Sequence, residues 1–294
     1  MARLEGRRVV ITGSSRGLGR AFAIAMAAEG ARVVINGTSE PALAEVEDVI
    51  RRAGGEVVAV RGSVTEEAVC QALIGTAVTE FGGVDVLINN AGIVRDRTLA
   101  KMTMEEFDDV IAVNLRGAFC CTREAARAMR DAGGGHIIQI ISNSGLTGGF
   151  GQANYAAAKA GMMGLLRTAV LELSRSNIRN NAVWPIAETD MTQVVFERAR
   201  SNAEGRGEAP PEPARLGFGR PEEVAAGLVW LASDDARHLD GQCITFNGRK
   251  TALWTHPEER HVAFREEPWS ADDLAAHYRS IEPLPLNSPR MQPD

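Results

Sequence analysis

The chain has little cysteine, no long apolar run and no excess of positive charge, and each shortage removes a class of protein. Four cysteines in 294 residues, Cys70, Cys120, Cys121 and Cys243, show no metal-ligand spacing and are too few for a disulfide scaffold. They read as buried, reduced thiols. No apolar stretch reaches the roughly 18 residues that a membrane span needs. Residues 1–6 lack the apolar region of a secretory signal, so the chain reads as cytoplasmic. A net charge of −6 argues against a surface built for nucleic acid, although a local basic pocket would still bind a phosphate. His256, His261 and His277 have no metal-site spacing, so no metal is expected. Internal repeats are also missing.

What is present is ordinary in amount and regular in order. Hydrophobic residues make up 45% and charged residues 24%, enough for one large core. Short β-branched runs at 8–12, 32–36, 57–60, 84–89 and 136–141 read as buried parallel strands, with two more near 178–183 and 243–246. Helical patterns at 18–29, 41–53 and 66–81 lie between the first of them, and Pro221 followed by two acids opens another. Such alternation builds a doubly wound, Rossmann-like α/β fold: a parallel sheet of about seven strands with helices on both faces. One catalytic domain is expected over 1–248. It includes a long irregular connection at 190–218, whose Pro-rich cluster Pro210, Pro211 and Pro213 suggests a mobile cover over a pocket. Residues 249–294 form a polar extension with a short helical pattern at 271–279 and a Pro-rich end that reads as disordered.

Ligands of an open parallel sheet bind beyond the carboxyl ends of its strands, so the loops there carry the chemistry. After the first strand comes Gly13-Ser14-Ser15-Arg16-Gly17-Leu18-Gly19, whose glycines permit tight turning and close approach of a dinucleotide before a helix N-terminus. The second strand ends at Asn36-Gly37-Thr38-Ser39, without the acid that would hold a ribose 2′-hydroxyl. Arg16, with Thr38 and Ser39, would instead suit a 2′-phosphate, which favours NADP(H); the alternative is that Arg16 is a solvated charge. Asn89-Asn90-Ala91-Gly92 follows the fourth strand, where asparagines tie turns together and small residues leave room for a flat ring.

Asn114 is a polar residue in an apolar helical pattern, bonded either to a backbone group or to a water. Ser142 follows the fifth strand, with Ser144 as a competing hydroxyl. Tyr155 and Lys159 are one helical turn apart on one face, where an ammonium can favour ionisation of a phenol and make it an acid–base group. Ala156, Ala157, Ala158, Ala160, Gly161 and Gly164 would let another helix approach closely.

In this order over 6–248, these motifs resemble the short-chain dehydrogenase/reductase family. Over 151–161 the chain looks most like its 3-oxoacyl-thioester (acyl-carrier-protein) reductases, which generally use NADPH. The resemblance implies that Tyr155 donates the proton to a carbonyl oxygen and that Ser142 orients that oxygen. Lys159 would lower the phenol pKa and hold the nicotinamide ribose, and Asn114 would position a water in the proton relay. It implies cofactor contacts from Gly13, Ser15, Arg16, Gly17, Leu18, Gly19, Thr38, Asn90, Ala91, Gly92, Tyr155, Lys159, Pro185 and Thr189. Ser63 stands in for the usual acid near adenine. A homotetramer packed through the helices of Asn114 and Tyr155 follows too, or a homodimer.

Trp184-Pro185-Ile186-Ala187-Glu188-Thr189 is one residue shorter than the reductase pattern, and Gly248-Arg249 replaces the usual Gly-Gly. The 45 or so residues beyond resemble, loosely, an extension of β-oxidation dehydrogenases. The expected activity is NADP(H)-dependent interconversion of a ketone and a secondary alcohol on an apolar substrate: a 3-oxoacyl thioester, polyketide or steroid-like compound. The alternatives are an NAD-dependent 3-hydroxyacyl or secondary-alcohol dehydrogenase, or a non-catalytic cofactor sensor or scaffold.

Overall fold

Consecutive apolar side chains along the short strands point to opposite faces, so both faces of the sheet must be covered, and the chain answers with a helix after nearly every strand. The structure, a computed structural model, describes residues 2–206, 208–279 and 281–282. They fall in two compact units, Met1–Trp254 and Thr255–Asp294. In the first, β1 (Arg8–Ile11), α1 (Gly17–Ala28), β2 (Arg32–Gly37), α2 (Glu40–Arg52), β3 (Glu56–Arg61), α3 (Glu67–Phe81) and β4 (Val86–Asn89) form one half. The other half runs through α4 (Met104–Ile111), a π-helical turn (Ala112–Gly117), α5 (Ala118–Asp131), β5 (Gly135–Ile140), α6 (Ser144–Thr147) and α7 (Ala153–Leu173). It closes with β6 (Ile178–Pro185), α8 (Gln193–Gly205), α9 (Pro221–Ala232), β7 (Cys243–Phe246) and β8 (Thr251–Leu253).

The strand order β3-β2-β1-β4-β5-β6-β7-β8 reverses direction between β1 and β4, the place where a doubly wound sheet opens a crevice. All neighbours pair in parallel except β7 with β8, which are antiparallel. Alternation sorts the core into two layers. Val9, Ile11, Val33 and Ile35 pack with Phe22 and Met26 of α1, Val46 of α2 and Leu228 of α9. Val10, Val34 and Leu87 point the other way, onto Leu73 of α3 and Ala125 and Met129 of α5. Each such fully buried side chain contributes about 1.5–3 kcal/mol through removal of apolar surface from water. All four cysteines are buried free thiols.

Two expectations need amendment. The sheet has eight strands rather than about seven, because Thr251–Leu253 turns back along β7 within residues assigned to the extension. Trp254 then donates its indole N–H to Thr245 Oγ1 at 2.9 Å and lies 5.6 Å from the Trp184 ring. The connection at 190–218 is not irregular: a 3-10 turn at Asp190–Thr192 leads into α8, and a second turn lies at Pro213–Leu216. The prolines fall after the helix and hid it. In the second unit the expected short helix is α10 (Ala271–Tyr278), opened by a capping box between Ser270 and Asp273. The Pro-rich end from 283 onward lies outside the described residues.

Candidate active site

The carboxyl ends of β1, β2, β3 and β4 are sewn together by side chains that bond main chain. Asn36 Nδ2 donates to the Val60 and Gly62 carbonyls at 3.1 and 3.0 Å, while its Oδ1 accepts from Gly13 N at 3.2 Å. Asn90 Nδ2 donates to the Thr12 and Gly13 carbonyls at 3.0 and 2.9 Å. Thr12 Oγ1 accepts from Asn90 N and Ala91 N in return. The glycine loop is thus held from both sides.

Its shape needs glycine at particular places. A Cβ on Gly13, which has φ +61°, would lie 2.7 Å from Ala91 Cα, and one on Gly19 would lie 2.5 Å from Asn90 Nδ2. Gly17, at φ +55°, starts α1 and faces open space as far as Thr189 Cγ2, so the loop after β6 lies across from it. Ser15 presses on the end of β2, where a Cβ on Gly37 would meet its Oγ at 2.7 Å. Helix α1 has no side-chain cap and no acid in its first turn, leaving unpartnered N–H groups at its positive end. That cradle fits a pyrophosphate. Arg16 is exposed and has no ion-pair partner among the described residues, whereas Arg61, opposite Gly37, is tied to Glu40 at 3.1 Å. Thr38 is exposed, and half-buried Ser63 bonds Thr65 Oγ1 at 2.8 Å. Leu18 packs on the core beside the loop.

Asn114 sits in the π-helical turn between α4 and α5 and is fully buried. Its Oδ1 accepts from Ile93 N at 2.8 Å and its Nδ2 donates to Ile93 O at 3.0 Å, so the side chain clamps the loop just beyond Gly92. Of the two partners left open by the sequence, the side chain takes backbone. The residue after β6, Ile186, bonds Phe246 O, and Thr189 caps the following turn through Thr192. Pro185 ends β6 opposite Phe246.

Ser142, Tyr155 and Lys159 are brought together by the contact of α6 with α7. A Cβ on Gly145 would lie 2.6 Å from Ala160 N, and that closeness lets the β5–α6 loop present Ser142 to Tyr155. Lys159 is 2% exposed, and its Nζ donates to Ile140 O at 2.7 Å and lies 5.5 Å from the Tyr155 ring centroid. Burial pushes the Lys159 pKa down to about 7, because a charged ammonium is poorly solvated there. Burial likewise pushes the Tyr155 phenol up to about 12, against a downward pull from the Ser142 hydroxyl and with a further upward push from Asp96. In the protein alone burial sets the direction of the phenol's shift, upward, opposite to the lowering expected from Lys159.

Several residues of this neighbourhood escaped the sequence reading. Asp96, Val94, Asp190, Met191, Gln193 and Glu197 line a cavity of about 260 Å³. Gln152 donates from Nε2 to both Asp96 carboxylate oxygens, at 3.3 and 3.2 Å. Beneath the site Thr122 Oγ1 and Gln139 Oε1 accept, at 2.9 and 3.0 Å, from Nδ2 of Asn89, the one residue of this trio that the sequence singled out. Asp96 and Gln152 are 56 positions apart, so no local pattern joins them; the only hint was Gln152 inside the glycine- and alanine-rich stretch before Tyr155.

Residues 7–200 match the family described as short chain dehydrogenase. The chain is similar to a 3-oxoacyl-[acyl-carrier-protein] reductase of Synechocystis sp., at 40% identity over 84% of this chain and 98% of the relative. It is also similar to hydroxyacyl-CoA dehydrogenase ChsB1 of Mycobacterium tuberculosis, at 38% identity over 94% of this chain and 88% of that protein. Among solved structures, a short chain dehydrogenase from Mycobacterium avium superposes with a TM-score of 0.80 and 36% identity, covering 96% of this chain and 97% of its own.

Proposed function

This chain belongs to the short-chain dehydrogenase family, an NAD(P)-dependent oxidoreductase, and from that premise we propose that it interconverts a 3-oxoacyl thioester and its 3-hydroxy form with NADP(H). The carrying observation is the meeting of Ser142, Tyr155 and buried Lys159 at the sheet end that also bears the uncapped glycine loop. A bound nicotinamide supplies or accepts the hydride. Ser142 and Tyr155 both direct hydroxyls at the carbonyl oxygen of the substrate, and Tyr155 Oη gives up its proton as that oxygen gains negative charge. A phenol held near 12 keeps its proton throughout the neutral range, which suits proton donation. Lys159, with an Nζ whose charge is loosely held, is placed to protonate fully as negative charge develops beside it. Asn114 holds the loop after Gly92 in place, preserving the floor on which a flat ring would lie.

The glycine loop residues Gly13, Ser15, Gly17, Leu18 and Gly19, with Ser63, Asn90, Ala91, Gly92, Pro185 and Thr189, are proposed to hold the coenzyme, and Arg16 with Thr38 its 2′-phosphate. An unpaired guanidinium at that corner supports this choice. Arg16→Ala is expected to weaken NADPH roughly 10- to 100-fold, as for loss of a charged hydrogen bond, and to leave NADH nearly unchanged. Fluorescence titration of both coenzymes checks it. Equal weakening of the two would remove the NADP(H) assignment.

One observation favours a second reading, an NAD-dependent 3-hydroxyacyl dehydrogenase. Similarity to the mycobacterial hydroxyacyl-CoA dehydrogenase covers 94% of this chain, against 84% for the reductase, and so takes in more of the C-terminal segment. A panel of acetoacetyl-CoA, a cyclic ketone and their alcohols, with both coenzymes, separates the readings.

Association as a homotetramer or homodimer is part of the same proposal. Gly161 is filled from within, by Leu115, but Leu171 of α7 and Phe119 of α5 face outward at 82% and 49% exposure. Light scattering is expected to give two or four times the 31.5 kDa chain mass. Leu171→Glu is expected to lower it; a monomer already in the unchanged protein ends the idea.

A further inference from the structure

A line of hydrogen bonds runs from the edge of the cavity to Ser142, and each link has only one chemically sensible direction. The Asp96 carboxylate can only accept, so it compels the Gln152 amide to turn its NH2 outward, at 3.3 and 3.2 Å. Gln152 Oε1 must then face Ser144, whose hydroxyl donates to it at 2.6 Å. With its proton committed, Ser144 offers Ser142 only lone pairs, and Ser142 Oγ donates weakly towards them at 3.4 Å and towards Asn143 Oδ1 at 3.2 Å. Ser144 N donates to Ser142 Oγ at 3.2 Å, which turns the Ser142 hydrogen away from that N–H.

The line is built in, since Ser144 is buried and a Cβ on Gly149 would lie 2.5 Å from Gln152 Oε1 and 3.0 Å from Ser144 Oγ. The whole segment is pinned as well: Arg97 N donates to Gly151 O at 2.8 Å and Asn154 Nδ2 to Arg95 O at 3.0 Å.

We propose that Asp96, Gln152 and Ser144 are positioning residues that fix Ser142 as a hydrogen-bond donor towards the substrate oxygen, with Asp96 as the anchor. The proposal rests on the role given to Ser142 above. It makes the loop after β4 part of the reaction machinery: it sets the polarity of a hydroxyl that no residue of the loop touches. The two links of Ser142 that remain are long, so its hydrogen is free to move to a ligand while its direction of donation is kept. The Asp96 charge acts on Tyr155 too, in the direction that keeps the phenol protonated. The other charged groups nearby are Lys159 on the helix of Tyr155, the pairs Arg97 with Glu106 and Arg95 with Asp109, and Asp190 and Glu197 across the cavity.

The test is a set of single and double variants of the full chain, assayed with NADPH and whichever ketone of the panel is turned over. Gln152→Leu and Asp96→Ala are each expected to lower kcat about tenfold with KM changed by less than about threefold, the size of one misdirected hydrogen bond. Asp96→Asn is expected to restore most of kcat, because its side-chain carbonyl still accepts from Gln152. It should also shift the pH profile of alcohol oxidation to lower pH, by less at high salt, where the exposed carboxylate is already screened. In a Ser142→Ala background Gln152→Leu is expected to cost nothing further, since the two act as a unit. A full tenfold loss in that background, or an Asp96→Asn variant as slow as Asp96→Ala, overturns the relay. An undiminished rate for Ser142→Ala alone overturns the functional reading and the relay together, and is told apart because it involves no change at Gln152.

Discussion

Tyr155→Phe is expected to lower kcat/KM by a factor of roughly 10³ or more while NADPH affinity stays within a few-fold, because proton transfer by a placed side chain is worth about 10²–10⁴ in rate. Removing one oxygen leaves the ring and its packing in place. Lys159 keeps its bond to Ile140 O, and α7 keeps its helical ladder, so neither the coenzyme cradle nor the sheet loses a contact. Steady-state assays with the panel, paired with fluorescence titration of coenzyme, separate chemistry from binding. A residual rate within tenfold of the parent would show that another group carries the proton and would remove Tyr155 from the site.

Lys159→Met is expected to cost nearly all activity and yet to stabilise the fold at slightly acidic pH. An ammonium that titrates near 7 in the folded chain and near 10.5 unfolded lowers stability wherever the unfolded chain holds the extra proton. The penalty is complete below about pH 7 and is relieved as pH rises towards the unfolded value. A gap of this size corresponds to something on the order of 4 kcal/mol. Losing the Nζ bond to Ile140 O takes back about 1–3 kcal/mol.

The variant should therefore be the more stable chain near pH 6 by about 1–3 kcal/mol, and lose that advantage by about pH 9.5. Above about pH 10 the phenol, raised to about 12, works the other way and removes stability from the parent. Urea unfolding at three pH values below 10 checks the crossing. A parent as stable at pH 6 as at pH 9.5 would mean that Lys159 keeps its charge in the folded chain, and the account of the pair would fall.

Much of this was legible in the sequence because the signals were local. Five β-branched runs and the glycines at 13, 17 and 19 specify strands and a turn within a few residues of themselves, and Tyr155 and Lys159 share a face by helical spacing alone. The parts that were not legible depend on distance. Asp96 meets Gln152 only after α7 has docked, and Asn36 reaches Gly13 only when β1 and β2 are paired. The direction of the Tyr155 shift could not be read from spacing either, since it follows from burial, which belongs to the whole fold. Helix α8 was missed because the prolines at 210, 211 and 213 dominate their neighbourhood, although they lie past its end at Gly205. The eighth strand was missed because three residues carry no period.

The three bonds made by the Asn36 side chain bear on how the molecule ages. An asparagine followed by glycine is the pair that cyclises most readily to a succinimide and then opens to a carboxylate, a slow chemical clock in stored protein. Here the amide is buried, its nitrogen is held by two carbonyls and its oxygen by Gly13 N, and Gly37 is locked in β2. The folded chain thus shields one of its two Asn-Gly pairs, the other being Asn247-Gly248 with its glycine exposed, and conversion at Asn36 would turn a donor into an anion facing two carbonyl oxygens. Partial unfolding of β2 is what would start the clock at Asn36.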